Sequence, residues 1–170
     1  MSSRRPLKET LEAGRTGPWR RQYALRRLTL WAALLVMLQV AVGMVVNLYV
    51  RLPAHRPGAQ PSDYFSGSLR SVVWAIGSGP PALAIHATLA LAVGAMALVL
   101  AVRAVTLFGG WVAALSVVAA AMVIGAGFNS ASFLDFGRAL SSLLMSLLAL
   151  GSLACYAVCS HLLGSGPPSS

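Results

Sequence analysis

The sequence predicts an all-α fold, a transmembrane four-helix bundle, on three observations. First, 57% of the 170 residues are hydrophobic, 10% are charged and the mean hydropathy is +0.74, a balance that suits lipid rather than water as the solvent. Second, four apolar runs each have the length of a bilayer core, about 20 residues. Third, eight of the thirteen basic residues (Arg4, Arg5, Lys8, Arg15, Arg20, Arg21, Arg26 and Arg27) precede the first run, as the positive-inside rule expects of a cytoplasmic flank. The formal charge of +9 is therefore read as a topological signal, and nucleic acid is discounted as a partner. Anionic headgroups would add about 1 kcal/mol of attraction per basic residue near the surface. With so much length committed to spans, no separate soluble domain is expected.

Residues 1–27 read as a basic cytoplasmic segment. Gly14, Gly17 and Pro18 interrupt it, disorder is expected, and Trp19 and Tyr23 fall where an aromatic belt belongs. The first span, 28–50, runs about 23 residues or roughly 34 Å at 1.5 Å per residue, broken by Gln39 and Asn47. It is longer than a signal-peptide core and has no A-x-A exit, so it reads as an uncleaved anchor. Residues 51–80 form a proline-rich loop. Within it Phe65, Leu69, Val72, Val73 and Ile76 recur at spacings of three and four, which predicts a short amphipathic helix. That helix either lies in the membrane interface, with Trp74 and Arg70, or caps the bundle.

Pro81 suits the first turn of a second span, 81–102, which carries His86 and ends at Arg103. A tight turn through Phe108, Gly109 and Gly110 leads to the third span, 111–128, so these two helices are antiparallel neighbours. Residues 129–138 read as a second loop and 139–163 as the fourth span. The transmembrane domain is thus 28–163, followed by a flexible tail, 164–170. Eight basic residues plus Arg103 lie on one side against Arg51, Arg56, Arg70 and Arg138 on the other. Both termini are therefore expected in the cytoplasm. Twelve arginines against one lysine, with abundant Ala, Gly and Val, suggest a GC-rich genome and a prokaryotic inner membrane. Cys155 and Cys159, one helical turn apart, are poorly placed to form a disulfide with each other.

The polar residues of the spans gather at the extracytoplasmic end. Asn47, His86, Asn129 and Ser142 fall within roughly 8 Å of that boundary at 1.5 Å per residue, with Asp135 and Arg138 in the loop above. Polar groups in hydrocarbon need partners, so His86 is expected to face the bundle interior. It either bonds Asn47, Asn129 or Ser142 across helices, or serves as a ligand or proton carrier. A bis-histidine haem is not available, because His55 is in a loop and His161 is at the opposite end. Met44 and Met145 do lie at His86's depth, which makes a His/Met haem site conceivable. His55, His86 and Asp135 have no spacing diagnostic of a metal site, and no hydrolase or transferase signature is present. Gln39, mid-span, is expected to bond across the bundle. Gly125, Gly127 and the polar residues after them suggest close helix approach followed by a frayed end. Phe128, Phe133 and Phe136 form either a belt or the rim of a site for a quinone, lipid or haem edge.

The combination of Asn47-Leu-Tyr-Val, His55-Arg-Pro-Gly, Tyr64-Phe, Ile85-His86-Ala and Gly127-Phe-Asn-Ser-Ala-Ser-Phe-Leu resembles an uncharacterised family of small prokaryotic four-span membrane proteins, over most of the chain. That resemblance implies the four-span fold and no particular activity. Gly43, Val50-Arg51-Leu52 and His86 also resemble one half-bundle of haem A synthase, and this likeness implies His86 as a haem ligand. Ile85 and Ala87 depart from it, since they stand where that family has an acid and an arginine flanking the histidine. The chain is thus expected to be a non-enzymatic accessory subunit or small binding module, with the bilayer and other membrane subunits as partners. The alternative is a haem-binding or electron-transfer protein, and a transporter or channel component ranks third, since it needs a broken span or a charged path.

Overall fold

The computed structural model describes residues 18–51, 53, 55, 57–58, 63–136 and 139–164. Arg138, most of the basic segment and the tail beyond Gly164 lie outside them. Among the described residues five helices follow in order: α1 (Pro18–Tyr49), α2 (Tyr64–Gly77), α3 (Pro81–Leu107), α4 (Gly110–Phe136) and α5 (Ala139–Gly164). All but α2 are long and apolar enough to cross a membrane. The architecture is that of a multi-pass, all-α membrane protein.

Three helices run further than the sequence led us to expect, α3 by about one turn, through Arg103 to Leu107. α1 starts at Pro18, where a proline's missing N–H costs nothing. The Arg, Gln, Ala and Leu that follow are strong helix formers, so residues 19–27 are helical rather than disordered. α4 continues to Phe136 through Asn129, Ser130 and Ser132, which were expected in a frayed end and loop. Their side chains do not break the helix, because Asn129 Nδ2 donates back to the Gly125 carbonyl one turn earlier, at 2.9 Å. Asp135 therefore sits in the last turn of a helix and not in a loop.

Between α3 and α4 the chain reverses in two residues. The amides of Phe108 and Gly109 both donate to the Ala104 carbonyl, and Gly109 and Gly110 take φ of 65° and 55°, a region that favours glycine. The spans form a ring in which α1 packs on α3 and α5, and α4 packs on the same two. We call the end holding Pro18 and Gly164 the terminal end, and the end holding α2 the far end.

Two hydrophobic clusters hold the ring. The larger, in the terminal half, includes Leu25, Ala32, Val36, Leu100, Ala104 and Tyr156. The smaller, at the far end, joins Ala75 of α2 to Leu83 and Leu134. Small side chains such as Ala32, Ala104 and Ala119 are fully buried, which lets helix backbones approach closely where no hydrophobic effect drives them together. The large apolar side chains point the other way. Leu34, Leu98, Val102 and Leu147 are about half exposed or more, a pattern that lipid solvates.

α2 uses its two faces differently. Gly67, Ser71 and Ala75, four residues apart, are its buried face, and this small stripe seats it on α3 and α4. The apolar stripe of Phe65, Leu69, Val73 and Ile76 is exposed. The helix thus caps the bundle with one face and leaves its apolar stripe exposed on the other. Asp63 caps its N-terminus by accepting from the Ser66 amide at 2.8 Å.

Candidate functional site

Between the two hydrophobic clusters lies a cavity of about 400 Å³, to which all four spans contribute. α1 supplies Gln39, Gly43 and Asn47, and α3 supplies His86. Ser130 comes from α4, and Ser142 and Met145 from α5. Among the described residues, no acidic or basic side chain apart from His86 lines it.

His86 is 8% exposed and its partner is Gln39. The Gln39 amide nitrogen lies 3.2 Å from the His86 backbone carbonyl and 3.3 Å from His86 Nε2. A carbonyl oxygen only accepts, so the nitrogen end of the amide is fixed toward it. The second amide hydrogen then points to Nε2, which must accept. The ring proton is left on Nδ1. Both remaining groups, His86 Nδ1 and Gln39 Oε1, are buried and have no hydrogen-bond partner. The pair therefore holds one unspent donor and one unspent acceptor, a costly arrangement in an apolar setting.

Gly43 makes this placement geometrically available. A Cβ at Gly43 would stand 2.9 Å from His86 Cε1 and 3.5 Å from Nδ1, so the ring lies against bare α1 backbone. Gln39 and Gly43 are one turn apart and share a helix face.

The structure divides the polar residues that the sequence placed together. Asn47, His86 and Ser142 line the cavity, as do Met44 and Met145. Asn129 does not, since its amide is engaged within α4 and the longer helix places it roughly 10 Å from the far end at 1.5 Å per residue. Asp135 does not either. It is 2% exposed and accepts from Ser68 Oγ at 2.8 Å and Ser71 Oγ at 2.6 Å, which fastens α2 to α4. Arg138 lies outside the described residues. Ser68 and Ser71 were not singled out from sequence, although the Gly67, Ser71, Ala75 spacing marks a packing face. The bond expected from His86 to Asn47, Asn129 or Ser142 is made instead to Gln39, which was expected to bond across the bundle but not to this partner.

Fold and cavity together define a four-span helical membrane protein with a mostly apolar chamber inside the bundle. Compared with known protein families, curated proteins and solved structures, the chain matches none.

Proposed function

We propose that the chain is a non-enzymatic binding module of a prokaryotic cell membrane that takes a lipid-soluble ligand into the cavity. The observation that carries this reading is the cavity itself, a mostly apolar chamber on which Gln39, Asn47, His86, Ser130 and Ser142 converge from all four spans. Apolar chambers with a few convergent polar groups are the usual form of small-molecule sites. The proposed orientation keeps both termini cytoplasmic. Arg20, Arg21, Arg26 and Arg27 lie in the first turns of α1 and Arg103 near the end of α3, against Arg51 and Arg70 at the far end. The cavity then opens toward the extracytoplasmic half. Surrounding lipid, and other membrane subunits against the exposed span faces, are the partners this reading implies.

The haem alternative is favoured by one observation, that Met44 and Met145 share the cavity with His86. The residues nonetheless do not fit a haem. Nε2 is occupied by Gln39, Cε1 and Nδ1 face the α1 backbone at Gly43, and Met44 is 61% exposed. A transport role gains no support either, because each span is an uninterrupted helix and a transporter site is typically built on broken ones.

The test is to purify the protein in mild detergent, extract it with organic solvent and compare its small molecules with those from the His86→Ala variant. A lipid-soluble compound enriched near one per chain in the parent and depleted in the variant is the expected result. Identical extracts that match bulk lipid would remove the proposal. A Soret band in the parent that is lost in His86→Ala would replace it with the haem reading.

A further inference from the structure

The contacts between α2 and α4 rise in step along both helices. At the start of α2 the Tyr64 hydroxyl donates to the Phe128 carbonyl at 2.9 Å, and the Phe65 ring meets the Phe128 ring edge-on at 6.4 Å. Further along α2, Ser68 and Ser71 hold Asp135, about two turns beyond Phe128 on α4. The first turn of α2 therefore stands at the level of Phe128, about 12 Å short of the end of α4 at 1.5 Å per residue, and the helix slants toward that end. This level is where the hydrocarbon of a bilayer should stop. From Trp111 to Phe128 the only polar side chain of α4 is Ser116, over about 27 Å, close to the roughly 30 Å of a bilayer core. Past Phe128 come Asn129, Ser130, Ser132 and Asp135, and α2 brings Asp63 and Arg70 alongside. Such groups are costly in hydrocarbon and are solvated among head groups. Tyr64, an amphipathic ring, is of the type that settles at the boundary.

We infer that α2 is a membrane-surface helix, docked through its apolar stripe on the acyl chains of the far-end leaflet, with Phe65 deepest and the stripe growing shallower toward Ile76. This inference is independent of what the cavity holds. Phe65, Leu69 and Val73, one turn apart, are 62–70% exposed, against 51% for Leu98 on a span. Ser66 and Arg70 border the stripe on one flank, with Arg70 Nε donating to the Ser66 carbonyl, so the polar edge of the helix faces the head groups while the apolar edge faces the chains. Lipid fits this face better than a second copy of the chain does, because the stripe has no rim of its own. At Phe65 it runs directly into exposed Phe128 on the outer surface of α4, which lipid already covers. The opposite face of α2 is held by Asp135, so the helix is fastened to the bundle on one side and to the leaflet on the other.

The test places a nitroxide spin label at single cysteines in the full chain, carrying Cys155→Ala and Cys159→Ala, in vesicles of phosphatidylcholine and phosphatidylglycerol. Labels at Phe65→Cys, Leu69→Cys and Val73→Cys are compared with Leu98→Cys, within a span, and with Gly77→Cys, at an exposed position where a Cβ meets nothing within 4 Å. Collision with oxygen, which concentrates in lipid, is read against collision with a water-soluble nickel chelate. The oxygen-to-nickel ratio should be highest at Leu98, fall in the order 65, 69, 73, and be lowest at Gly77. Ratios at 65 and 69 no higher than at Gly77 would put the stripe in water and overturn the inference. Low collision with both reagents, with spin–spin broadening that disappears on dilution with unlabelled protein, would assign the stripe to a second copy and overturn it equally. Should the cysteine-free chain fail to fold, the unaltered chain is illuminated in vesicles containing a phosphatidylcholine with a photoreactive group on its acyl chain. Adducts on Phe65 and Leu69 support the docking, and adducts confined to the spans overturn it.

Discussion

Gly43 and His86 are in van der Waals contact across the α1–α3 interface, and the missing side chain of the first is the space occupied by the ring of the second. This contact sets the depth at which His86 enters the bundle. It also sets the side from which Gln39, one turn before Gly43, reaches the ring.

Gly43→Ala should therefore destabilise the protein although alanine is the better helix former. The new Cβ would sit 2.9 Å from His86 Cε1, so either the ring or the helix must move, at a cost of about 1–3 kcal/mol for an overpacked contact. Gly94→Ala on α3 is the control, since nothing lies within 4 Å of its Cβ and it should gain about 0.5–1 kcal/mol from propensity. Unfolding of both variants by SDS titration in mixed micelles checks the pair. Equal responses would show that the Gly43 contact is slack.

A second prediction concerns how α2 is held. Asp135 gives one carboxyl oxygen to Ser68 and the other to Ser71, and Ser71 is completely buried. Asp135→Ala strands both hydroxyls, and unpaired buried groups cost about 1–3 kcal/mol. That loss should fall on α2 and not on the spans. Hydrogen exchange should show faster amide exchange over residues 65–77 with the spans unchanged. Ser68→Ala, which leaves one bond in place, should give a smaller effect of the same kind.

The start of α2 should also respond to acid. Asp63 has its pKa held below the ordinary carboxylate value, chiefly by the Ser66 amide that donates to it and then by the Ser66 hydroxyl, with desolvation opposing and the Arg70 charge adding to the lowering. A carboxyl group with a depressed folded pKa contributes stability above its unfolded pKa and loses it as pH falls through the folded value. The first turn of α2 should thus fray below about pH 4, where unperturbed aspartates protonate. Asp63→Asn, which keeps a capping oxygen, should flatten that dependence. Amide exchange of residues 65–67 between pH 3 and 6 reads the effect, and a profile as steep in Asp63→Asn as in the parent would assign it to another group.

The spans, their order and the short helix were all legible in the sequence, because apolar runs of bilayer length and a 3.6-residue period need no tertiary information. The extension of α4 was not. Asn129, Ser130 and Ser132 look like helix-ending residues, yet Asn129 finds its own Gly125 carbonyl and the helix continues. Nor was the seating of α2 legible, since its large apolar residues drew attention to a face that turns out to be exposed, while glycine, serine and alanine do the packing. Gln39 as the partner of His86 was hidden for a geometric reason. Depth counted from the expected span ends separates the two, and that count does not show how far one helix is offset along the other.

The role of the His86–Gln39 pair can be separated from its energy. A hydrogen bond between spans is worth about 0.6 kcal/mol on average, so if the pair existed for stability, removing both partners would cost at least what removing one does. The geometry predicts the opposite. Gln39→Leu removes the amide that serves His86 Nε2 and leaves the imidazole with both nitrogens unpaired, and His86→Phe leaves the Gln39 amide short of one acceptor. Each single variant should lose about 1–3 kcal/mol. The double variant, Gln39→Leu with His86→Phe, removes every stranded polar atom and fills the site with side chains of similar volume. It should be close to the parent in stability, giving a coupling energy of opposite sign to the single losses. Asn129→Ala, whose bond is internal to α4, should stay within about 0.5 kcal/mol of the parent. A double variant that is stable but no longer retains the lipid-soluble ligand would mean that the pair is kept for what it binds. If the two single losses instead add in the double variant, Gln39 and His86 are independent packing residues and the cavity owes nothing to their meeting.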